Sequence, residues 1–416
     1  MARPSLPSPE SIQARYDDIL RQNLSLDLTR GKPAAEQLQL SNGLLNLTLD
    51  EIEEFSEVDV RNYGGLAGLE GVKQLFAQIL EVPSSNVIVG GNSSLTMMYD
   101  YICRGVQFGV PGGHQPWGQS GNRKFICPTP GYDRHFLITQ HLGFELISVD
   151  MTDQGPNMDQ VESLVAADPE IKGIWCVPKY SNPTGTCFSP DVVRRLAQMN
   201  TAADDFRIMW DNAYAEHCFD GNQIELANIL QLCIDAGNEN RVIEFASTSK
   251  MTYPGAGVAA MAASDENIKH CLHHLSVQSI GPDKINQLRH LKLFPDISEL
   301  RRHMQHHAAL LQPKFELVNT VLQRELGQFE IASWTQPGGG YFISLDIPQG
   351  KAAATIESAK NAGVSLTKAG APFPYGIDPQ DRNIRIAPTF ATLQELEIAV
   401  EVLCVCVLLN CCADST

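Results

Sequence analysis

The sequence predicts an α/β protein with a mostly parallel, seven-stranded sheet in a large domain and a second, smaller α+β domain. Three observations support this fold class. The chain has 416 residues, which is too long for one ordinary hydrophobic core. Its middle alternates short apolar runs with helical patterns, as βα units do. After about residue 300 this alternation gives way to longer helical patterns and a glycine-rich segment.

The large domain contains seven short apolar runs, each of which ends near a small, polar or proline residue. We interpret these runs as strands. The predicted strands comprise residues 86–89, 124–127, 145–149, 173–177, 207–210, 242–246 and 258–263. Helical patterns lie between them, for example at 95–104 and 190–200. This alternation indicates βα units and therefore a mostly parallel sheet.

The smaller domain is predicted to begin with a long helix at 297–326, followed by the glycine-rich, hairpin-like segment 337–340. A strand, a helix, a strand and a final helix follow at 341–345, 352–362, 383–386 and 393–409. A helix near 11–23 is expected to join this domain. The predicted division is an N-terminal segment (1–50) that packs with the small domain, a large cofactor-binding domain (51–300) and a small C-terminal domain (301–416).

The charge and composition are those expected of an acidic cytoplasmic protein. Asp and Glu outnumber Lys and Arg 48 to 31, for a formal net charge of −17. A field of that sign repels phosphate groups, so neither nucleic acid nor an anionic membrane is an expected partner. No long uncharged apolar stretch and no basic start before an apolar region is present, so neither a membrane span nor a secretory signal is expected. The 11 cysteines show no repeated CxxC pair, which is typical of reduced thiols.

Polar clusters directly follow three of the predicted strands, at 177–185, 210–214 and 247–250. In an open parallel sheet, ligands bind beyond the carboxyl ends of the strands. We therefore expect the three clusters to converge on one pocket.

Lys250 and Asp211 carry the sharpest chemical signal in these clusters. Lys250 follows a buried-strand pattern, where desolvation of an ammonium group is costly, so either its pKa is lowered or its amine is consumed as an imine. The alternative is a lysine that extends to the surface. Asp211 ends an apolar run and needs a partner, and a pyridinium nitrogen is a suitable one. The alternative for Asp211 is a helix N-cap.

Other residues near the predicted pocket are suited to a phosphorylated ring and to a carboxylate. Tyr214 lies within reach of the same ligand, and Asn182 can donate a hydrogen bond to a ring oxygen, although Asn-Pro also occurs in plain turns. The Gly-Gly-Asn-Ser-Ser segment at 90–94 follows a strand and opens a helix, which favours either a phosphate site or an N-cap by one of its serines. Arg385, between two isoleucines, either binds a carboxylate in bidentate geometry or faces the solvent.

Taken together, these segments resemble the class I aminotransferases of the pyridoxal phosphate (PLP) fold type I along nearly the whole chain. The matching features, in chain order, are Tyr63 in Arg-Asn-Tyr-Gly, the Gly-Asn-Ser-Ser loop, Tyr132 after Pro-Gly, Asn182 before proline, Asp211 with Tyr214, Ser247 to Lys250, and Arg385. Segments 26–33 and 281–284 are similar to one branch, the bacterial type Ic aspartate aminotransferases, which are related to the MocR-like aminotransferase domains. The resemblance implies the PLP-dependent transferase fold type I.

The resemblance implies a role for each matching residue, with pyridoxal 5'-phosphate as the cofactor. Lys250 is the implied Schiff-base lysine and proton shuttle, and Asp211 pairs the ring nitrogen. The other implied cofactor contacts are Tyr214 and Asn182 at the phenolic oxygen, Tyr132 stacked on the ring, Ser93, Ser94 and Ser247 at the phosphate, and Tyr63 at the phosphate of the neighbouring subunit. The implied substrate contacts are Arg385 at the α-carboxylate, with Asn182 and Gly31 close by.

One departure from the family pattern concerns the phosphate. Most relatives place an arginine shortly after the lysine, where it pairs with the phosphate, whereas this chain has none there. Lys284, from this subunit or its partner, is the candidate replacement. For the side-chain carboxylate of aspartate, the candidates are Arg30, Lys32 and Lys124.

The predicted function is the transfer of an amino group from an amino acid, foremost aspartate, to a 2-oxo acid, foremost 2-oxoglutarate, by a ping-pong mechanism. The family implies a homodimer whose active sites are shared between subunits. Three alternatives stay open. They are an aminotransferase with another donor (alanine, aminoadipate or an aromatic amino acid), a PLP-dependent C–S lyase, and a regulator that binds PLP or an amino acid without catalysis.

Two further classes of protein compete on local patterns. The spacing of Ser247 and Lys250 matches the serine–lysine motif of penicillin-binding proteins, but the Ser-Asn motif precedes it and no Lys-Thr-Gly follows. Two H-x-x-H-H patterns, at 270–274 and 303–307, have a helical spacing that suits zinc, yet no carboxylate or cysteine obviously completes either site. We therefore expect solvated helix faces at both places and no bound metal.

Overall fold

The structure, a computed structural model, describes residues 6–29, 31–55, 58–221 and 224–412. Within these ranges the chain forms fourteen α-helices and thirteen β-strands. The helices are α1 (Pro9–Leu20), α2 (Ala35–Gln39), α3 (Leu49–Phe55), α4 (Glu70–Leu80), α5 (Ser94–Phe108), α6 (Asp133–His141), α7 (Met158–Ala167), α8 (Pro190–Gln198), α9 (Ile229–Asp235), α10 (Asp265–Gln278), α11 (Lys284–Leu293), α12 (Ile297–Glu325), α13 (Ala352–Asn361) and α14 (Leu393–Cys412). The strands are β1 (Leu26–Asp27), β2 (Val87–Val89), β3 (Lys124–Thr129), β4 (Glu145–Thr152), β5 (Gly155–Pro156), β6 (Ile171–Cys176), β7 (Arg207–Asp211), β8 (Val242–Ser247), β9 (Ala259–Ala263), β10 (Ser333–Trp334), β11 (Ile343–Asp346), β12 (Val364–Ser365) and β13 (Asn383–Ile386).

The large sheet contains eight strands in the order β2, β9, β8, β7, β6, β3, β4, β5. The central strands from β8 to β4 are parallel to their neighbours. Strand β9 runs antiparallel between β8 and β2, and β5 runs antiparallel at the far edge. The predicted α/β fold with a mostly parallel sheet is therefore confirmed, while the predicted number of strands is one too low. The missed strand, β5, pairs only two residues with β4 and is too short to produce an apolar run.

Helices cover both faces of this sheet, so its central strands are buried. Along β7, Ile208 and Trp210 belong to the core beneath α4, α8 and α9, whereas Met209 packs on the opposite face with residues of α5 and α6. Successive side chains of a strand point to opposite faces, so Asp211 at the end of β7 shares the face of Met209. The strand thereby places a carboxylate on the side of the sheet where α5 and α6 lie.

The C-terminal part of the chain builds a second core around the antiparallel sheet β10, β11 and β13 and the helices α13 and α14. The N-terminal part joins it, because β1 pairs in parallel with β12 and the Tyr16 hydroxyl donates to the carbonyl of Ser358 at 2.9 Å. Helix α12 contributes Leu300 to the large core and Val318 to the small one. The domain boundaries at residues 50 and 300 stay predictions.

Residues 402–408 of helix α14 are all apolar and are fully buried in the second core. Its composition therefore reflects packing against α1, α12 and α13. Among the residues that the structure describes, no helix has both the length and the apolar character that crossing a membrane requires.

Candidate active site

A cavity of about 280 Å³, called the inner cavity below, lies beyond the carboxyl ends of the parallel strands β6, β7 and β8. Its walls come from the loops that follow these strands and from the N-termini of α5 and α6. The residues that line it include Asn92, Ser93, Ser94, Tyr132, Asn182, Asp211, Tyr214, Ser247, Ser249 and Lys250. The three polar clusters that the sequence singles out therefore do converge, and the Gly-Asn-Ser-Ser loop and Tyr132 join them.

Asp211 lines this cavity with a carboxylate of which one oxygen is hydrogen-bonded and the other is not. Its Oδ2 lies 2.9 Å from Nε2 of His135, and both side chains are buried. The second oxygen, Oδ1, is buried and has no hydrogen-bond partner within the described part of the chain. Buried acceptors are nearly always paired, so an orphaned carboxylate oxygen at a cavity wall indicates a ligand that donates a hydrogen bond to it.

His135 holds this carboxylate and is a residue that sequence reasoning missed. It lies on α6, where its ring stacks on Trp175 with centroids 4.4 Å apart and planes inclined by 11°. The ring also contacts Tyr132 edge to face at 4.9 Å. No local pattern marks His135, because its partner Asp211 is 76 positions away along the chain.

Lys250 lies in the inner cavity, so the structure does not place it as a surface lysine. Its Nζ is 4.9 Å from the ring centroid of Tyr214. Burial lowers the pKa of the Lys250 ammonium, and the charge of Asp211 partly opposes this effect. Burial also raises the pKa of the Tyr214 hydroxyl well above its usual value, so that hydroxyl stays protonated.

The far end of the inner cavity is rich in hydroxyl groups and helix N–H groups. Ser93 is the N-cap of α5, but its side chain makes no capping hydrogen bond, and the helix begins at Ser94. The Oγ atoms of Ser247 and Ser249 lie 2.9 Å apart. Such an end binds a phosphate through hydroxyls and the positive end of the helix dipole. Ser249 was not predicted, and among the described residues Lys250 is the sole cation that lines this cavity.

Tyr63 and Lys284 lie outside the inner cavity of their own subunit. Tyr63 is 81% exposed. Lys284 is buried, and its Nζ donates to the carbonyl oxygens of Asn62 and Gly64, both at 2.7 Å. Within one subunit, Lys284 therefore fixes the loop that carries Tyr63 instead of facing a phosphate. The prediction that it acts on the partner's cofactor stays a prediction.

A wider cleft of about 700 Å³, called the outer cleft below, opens from the inner cavity and shares Tyr132, Asn182 and Lys250 with it. Arg385 lies in its wall and faces inward. The guanidinium Nη1 donates to Oδ1 of Asp133 at 3.0 Å and to Oδ1 of Asn182 at 3.3 Å.

Part of the Arg385 fork is left for a ligand. Its Nη2 donates to Oγ1 of Thr367 at 3.3 Å, while the buried Nε has no partner within the described part of the chain. The guanidinium carbon Cζ of Arg385 also lies 5.1 Å from the centroid of the Phe342 ring. Gly31 passes so close to this ring that an added Cβ would lie 2.5 Å from it. Gly31 is therefore needed where the N-terminal segment covers the aromatic base of the Arg385 site.

The sequence offers Arg30, Lys32 and Lys124 as candidates for binding a second substrate carboxylate. Lys32 and Lys124 do not line the outer cleft. Arg30 lies outside the described residues. Lys32 lies over the ring of Phe390 at 3.7 Å, and Lys124 pairs with Asp168 at 2.8 Å at the start of β3, the opposite end of that strand from the site. Besides Lys250 and Arg385, the cations that line the cleft among the described residues are Arg134 and Lys368, both with exposed side chains, and neither was predicted.

The two histidine patterns have different surroundings. His270 and His274 on α10 contact each other with ring centroids 4.6 Å apart. His303 and His307 on α12 are buried, so the prediction of a solvated face is wrong there, although His306 is exposed. Helix α12 lies between the two cores, which buries one of its polar stripes. Among the described residues, no group of three or more metal-binding side chains is arranged to hold an ion.

The polar groups of the inner cavity fit a phosphorylated pyridine aldehyde. Asp211 offers an acceptor for a protonated ring nitrogen, Lys250 an amine for the aldehyde, and α5 an anion site at the opposite end. The aromatic ring of Tyr132 and the apolar side chain of Val177 supply walls for a flat ring.

Comparison with known proteins agrees with this interpretation. A family model described as aspartate amino-transferase matches residues 4–415. A Mycolicibacterium smegmatis protein named as an aminotransferase is 50% identical over 413 residues, which cover 98% of this chain and 96% of the relative. An aspartate aminotransferase of Corynebacterium glutamicum is 46% identical over 401 residues, covering 96% and 93%.

Solved structures give the same result. The crystal structure of an aspartate transaminase from Corynebacterium glutamicum matches with a TM-score of 0.94 and 45% identity, covering 98% of this chain and 96% of that one. The α-aminoadipate aminotransferase LysN of Thermus thermophilus matches with a TM-score of 0.75 at 20% identity, covering 97% of each chain. At 20% identity, the match to LysN shows a shared fold alone.

Proposed function

The chain belongs to the aspartate aminotransferase family and is an aminotransferase, and on that premise we propose that its amino donor is aspartate, its acceptor 2-oxoglutarate and its cofactor PLP attached to Lys250. The observation that carries the cofactor assignment is the orphaned Oδ1 of Asp211 in the wall of the cavity that also holds Lys250. The MocR-like connection stays a prediction.

Asp211 is proposed to hold a proton on the ring nitrogen of the cofactor. When bound, PLP withdraws electrons from the α-carbon of an attached amino acid, and a protonated ring does so best. An ionised carboxylate favours that proton, whereas a neutral acceptor does not. His135 orients the carboxylate through Oδ2 and leaves Oδ1 directed to the cavity.

Lys250 is proposed to move the proton of the α-carbon. Its Nζ must be neutral to accept a proton, and burial in the cavity lowers its pKa in that direction. Tyr214 lies beside Nζ and Asn182 lies between the inner cavity and Arg385. These contacts support assigning Tyr214 and Asn182 to the ring's phenolic oxygen.

Arg385 is proposed to bind the α-carboxylate of the substrate. Its fork has an unpaired Nε and lies at the junction of the outer cleft and the inner cavity. Arg134 and Lys368, whose side chains are exposed, add positive charge to the wall of the outer cleft in an otherwise acidic chain. This arrangement favours a substrate with a second carboxylate, such as aspartate, over alanine or an aromatic donor.

A homodimer with shared active sites is proposed on two observations. Tyr63 is exposed on a loop that Lys284 holds firmly, and the phosphate end of the inner cavity contains no cation of its own subunit among the described residues. A neighbouring subunit that inserts Tyr63 would add a hydroxyl donor for the phosphate at that end. A cytoplasmic location stays a prediction.

A donor screen tests the proposal directly. The protein is loaded with PLP, and loss of the absorbance of the lysine-bound cofactor is followed after addition of aspartate, alanine, 2-aminoadipate or phenylalanine. We expect aspartate to react fastest, and a preference for a neutral donor would overturn the substrate assignment. Lys250→Ala should abolish both turnover and this absorbance, and a fully active variant would overturn the cofactor assignment.

A further inference from the structure

A buried polar cluster supports the backbone of Lys250 from the side away from the inner cavity. It consists of Gln37 on α2, His303 and His307 on α12, and Tyr341 just before β11, and is called the support cluster here. All four side chains are almost completely buried. Buried polar groups are costly unless they are hydrogen-bonded, so such a cluster requires an explanation beyond packing.

One arm of the support cluster runs from the N-terminal segment to the carbonyl of Lys250. The backbone N–H of Ala34 donates to Oε1 of Gln37 at 3.0 Å, which fixes the orientation of that amide. The amide nitrogen of Gln37 therefore donates to the hydroxyl of Tyr341 at 3.1 Å. The hydroxyl proton of Tyr341 is left for the carbonyl oxygen of Lys250, also at 3.1 Å.

A second arm reaches the next carbonyl along the chain. Nε2 of His303 lies 2.7 Å from the carbonyl oxygen of Met251. A carbonyl only accepts, so in this contact His303 carries its proton on Nε2. Nε2 of His307 packs 3.1 Å from the same nitrogen, and burial lowers the pKa of both imidazoles, that of His307 to about 3. Both rings are therefore neutral near pH 7.

None of the four side chains lines the inner cavity, yet the first arm ends on the carbonyl of Lys250, which carries the reacting amine, and the second on the carbonyl of the next residue, Met251. A lysine side chain has four rotatable carbon–carbon bonds, so Nζ is directed only as well as its backbone is fixed. Because Lys250 follows β8 in a loop, the sheet alone does not hold its carbonyl. The support cluster, whose residues lie on α2, on α12 and just before β11, fixes this part of the backbone by hydrogen bonds.

We infer that Tyr341 and His303 are positioning residues for transamination: they fix the carbonyls of Lys250 and Met251 and thereby the direction in which Nζ enters the inner cavity. This inference rests on the proposed role of Lys250. It differs from a purely structural role, because removal of either donor should alter the reactivity of the amine as well as the stability of the fold.

Tyr341→Phe tests the first arm, with Tyr16→Phe as its matched control. Both variants lose a hydroxyl that donates to a backbone carbonyl, but Tyr16 bonds to Ser358 in the second core, away from the site. The holoenzymes are compared by kcat, by KM for aspartate, by thermal unfolding and by the pH midpoint of the absorbance of the lysine-bound cofactor. For Tyr341→Phe we expect a kcat roughly five- to tenfold lower, a nearly unchanged KM and a midpoint shifted by about half a pH unit. Tyr16→Phe should change neither kcat nor the midpoint.

The second arm is tested by a pair of substitutions at His303. Glutamine can still donate an N–H to the Met251 carbonyl, whereas leucine cannot, so His303→Gln should keep most of the activity that His303→Leu loses. His306→Gln, an exposed position on the same helix, is the control and should match the unmodified enzyme.

The outcomes separate the two proposals. If the unmodified protein forms no lysine-bound cofactor, the proposed function fails before any variant is compared. If it does, and Tyr341→Phe has the kcat and pH midpoint of Tyr16→Phe, or His303→Gln is as impaired as His303→Leu, the positioning role is overturned. If His303→Leu does not fold, the Tyr341 and Tyr16 pair still decides the question.

Discussion

The substitution Asp211→Asn isolates the charge at the base of the inner cavity, because asparagine keeps the size of the side chain and an oxygen that can still accept from His135. What it loses is the negative charge that we propose to lie opposite the ring nitrogen of the cofactor. Two unit charges about 4 Å apart interact by about 4 kcal/mol at an effective dielectric constant near 20. At 1.36 kcal/mol for each factor of ten, the upper limit for the loss is about a thousandfold in rate.

We therefore expect kcat of Asp211→Asn to fall by about two to three orders of magnitude. The assay is the first half-reaction, in which the absorbance of the lysine-bound cofactor is followed in a stopped-flow instrument after addition of aspartate. The exposed Asp153→Asn serves as a control for the chemical change and should be fully active. A loss below tenfold for Asp211→Asn would refute the assigned role.

The same substitution should behave differently in the protein without cofactor. Oδ1 of Asp211 is buried without a partner, and an unsatisfied buried charge destabilises a fold. Replacing the carboxylate by a neutral amide relieves part of that cost. The melting temperature of cofactor-free Asp211→Asn should thus equal or exceed that of the unmodified protein, and a clear decrease would show that the carboxylate stabilises the fold instead.

Three further changes test other parts of the site and fold. Arg385→Lys loses the planar fork, so kcat/KM for aspartate should fall roughly ten- to a hundredfold, and unchanged steady-state kinetics would contradict the α-carboxylate assignment. Arg134→Gln should raise KM for aspartate roughly two- to fivefold while KM for alanine stays constant, and equal effects on both donors would argue against a role in side-chain recognition. Glu244 on β8 is buried, and burial raises its pKa to about 8. Between about pH 4.5 and 8, the folded state therefore keeps the Glu244 proton that the unfolded chain has already released. As pH rises through that window, the free energy of unfolding of the unmodified protein should therefore fall relative to that of Glu244→Gln. Parallel curves of melting temperature against pH would exclude this linkage.

The parts of the site that follow a buried strand could be predicted from the sequence. Asp211 is the last residue of β7 and Lys250 lies three residues after the end of β8, and the apolar runs that mark these strands extend over several residues. Strand position therefore predicts where their side chains go. By contrast, β5 has two residues and leaves no periodic signal.

The residues that sequence reasoning missed acquire their roles through packing between distant segments. His135 meets Asp211 because α6 packs on the sheet, and Arg134 and Lys368 share a cleft only after the two cores come together. The error at His303 and His307 has a related cause. Helical spacing places them on one stripe of α12, but whether that stripe meets solvent depends on which elements cover it.

The adjacent residues Tyr341 and Phe342 contact the two residues proposed to act on the substrate's α-carbon and α-carboxylate, Lys250 and Arg385. Tyr341 bonds to the carbonyl of Lys250, while the ring of Phe342 lies beneath the guanidinium of Arg385. On these proposed roles, a single dipeptide contacts both the residue whose amine would act on the α-carbon and the cation that would bind the α-carboxylate, and so links their positions. Every α-amino acid has the same spacing between its α-carbon and its α-carboxylate, so one separation between Lys250 and Arg385 suits the whole class of donors. The proposed choice among donors would then depend on Arg134 and Lys368 in the wall of the outer cleft, and replacing either is expected to leave the lysine and the arginine in place.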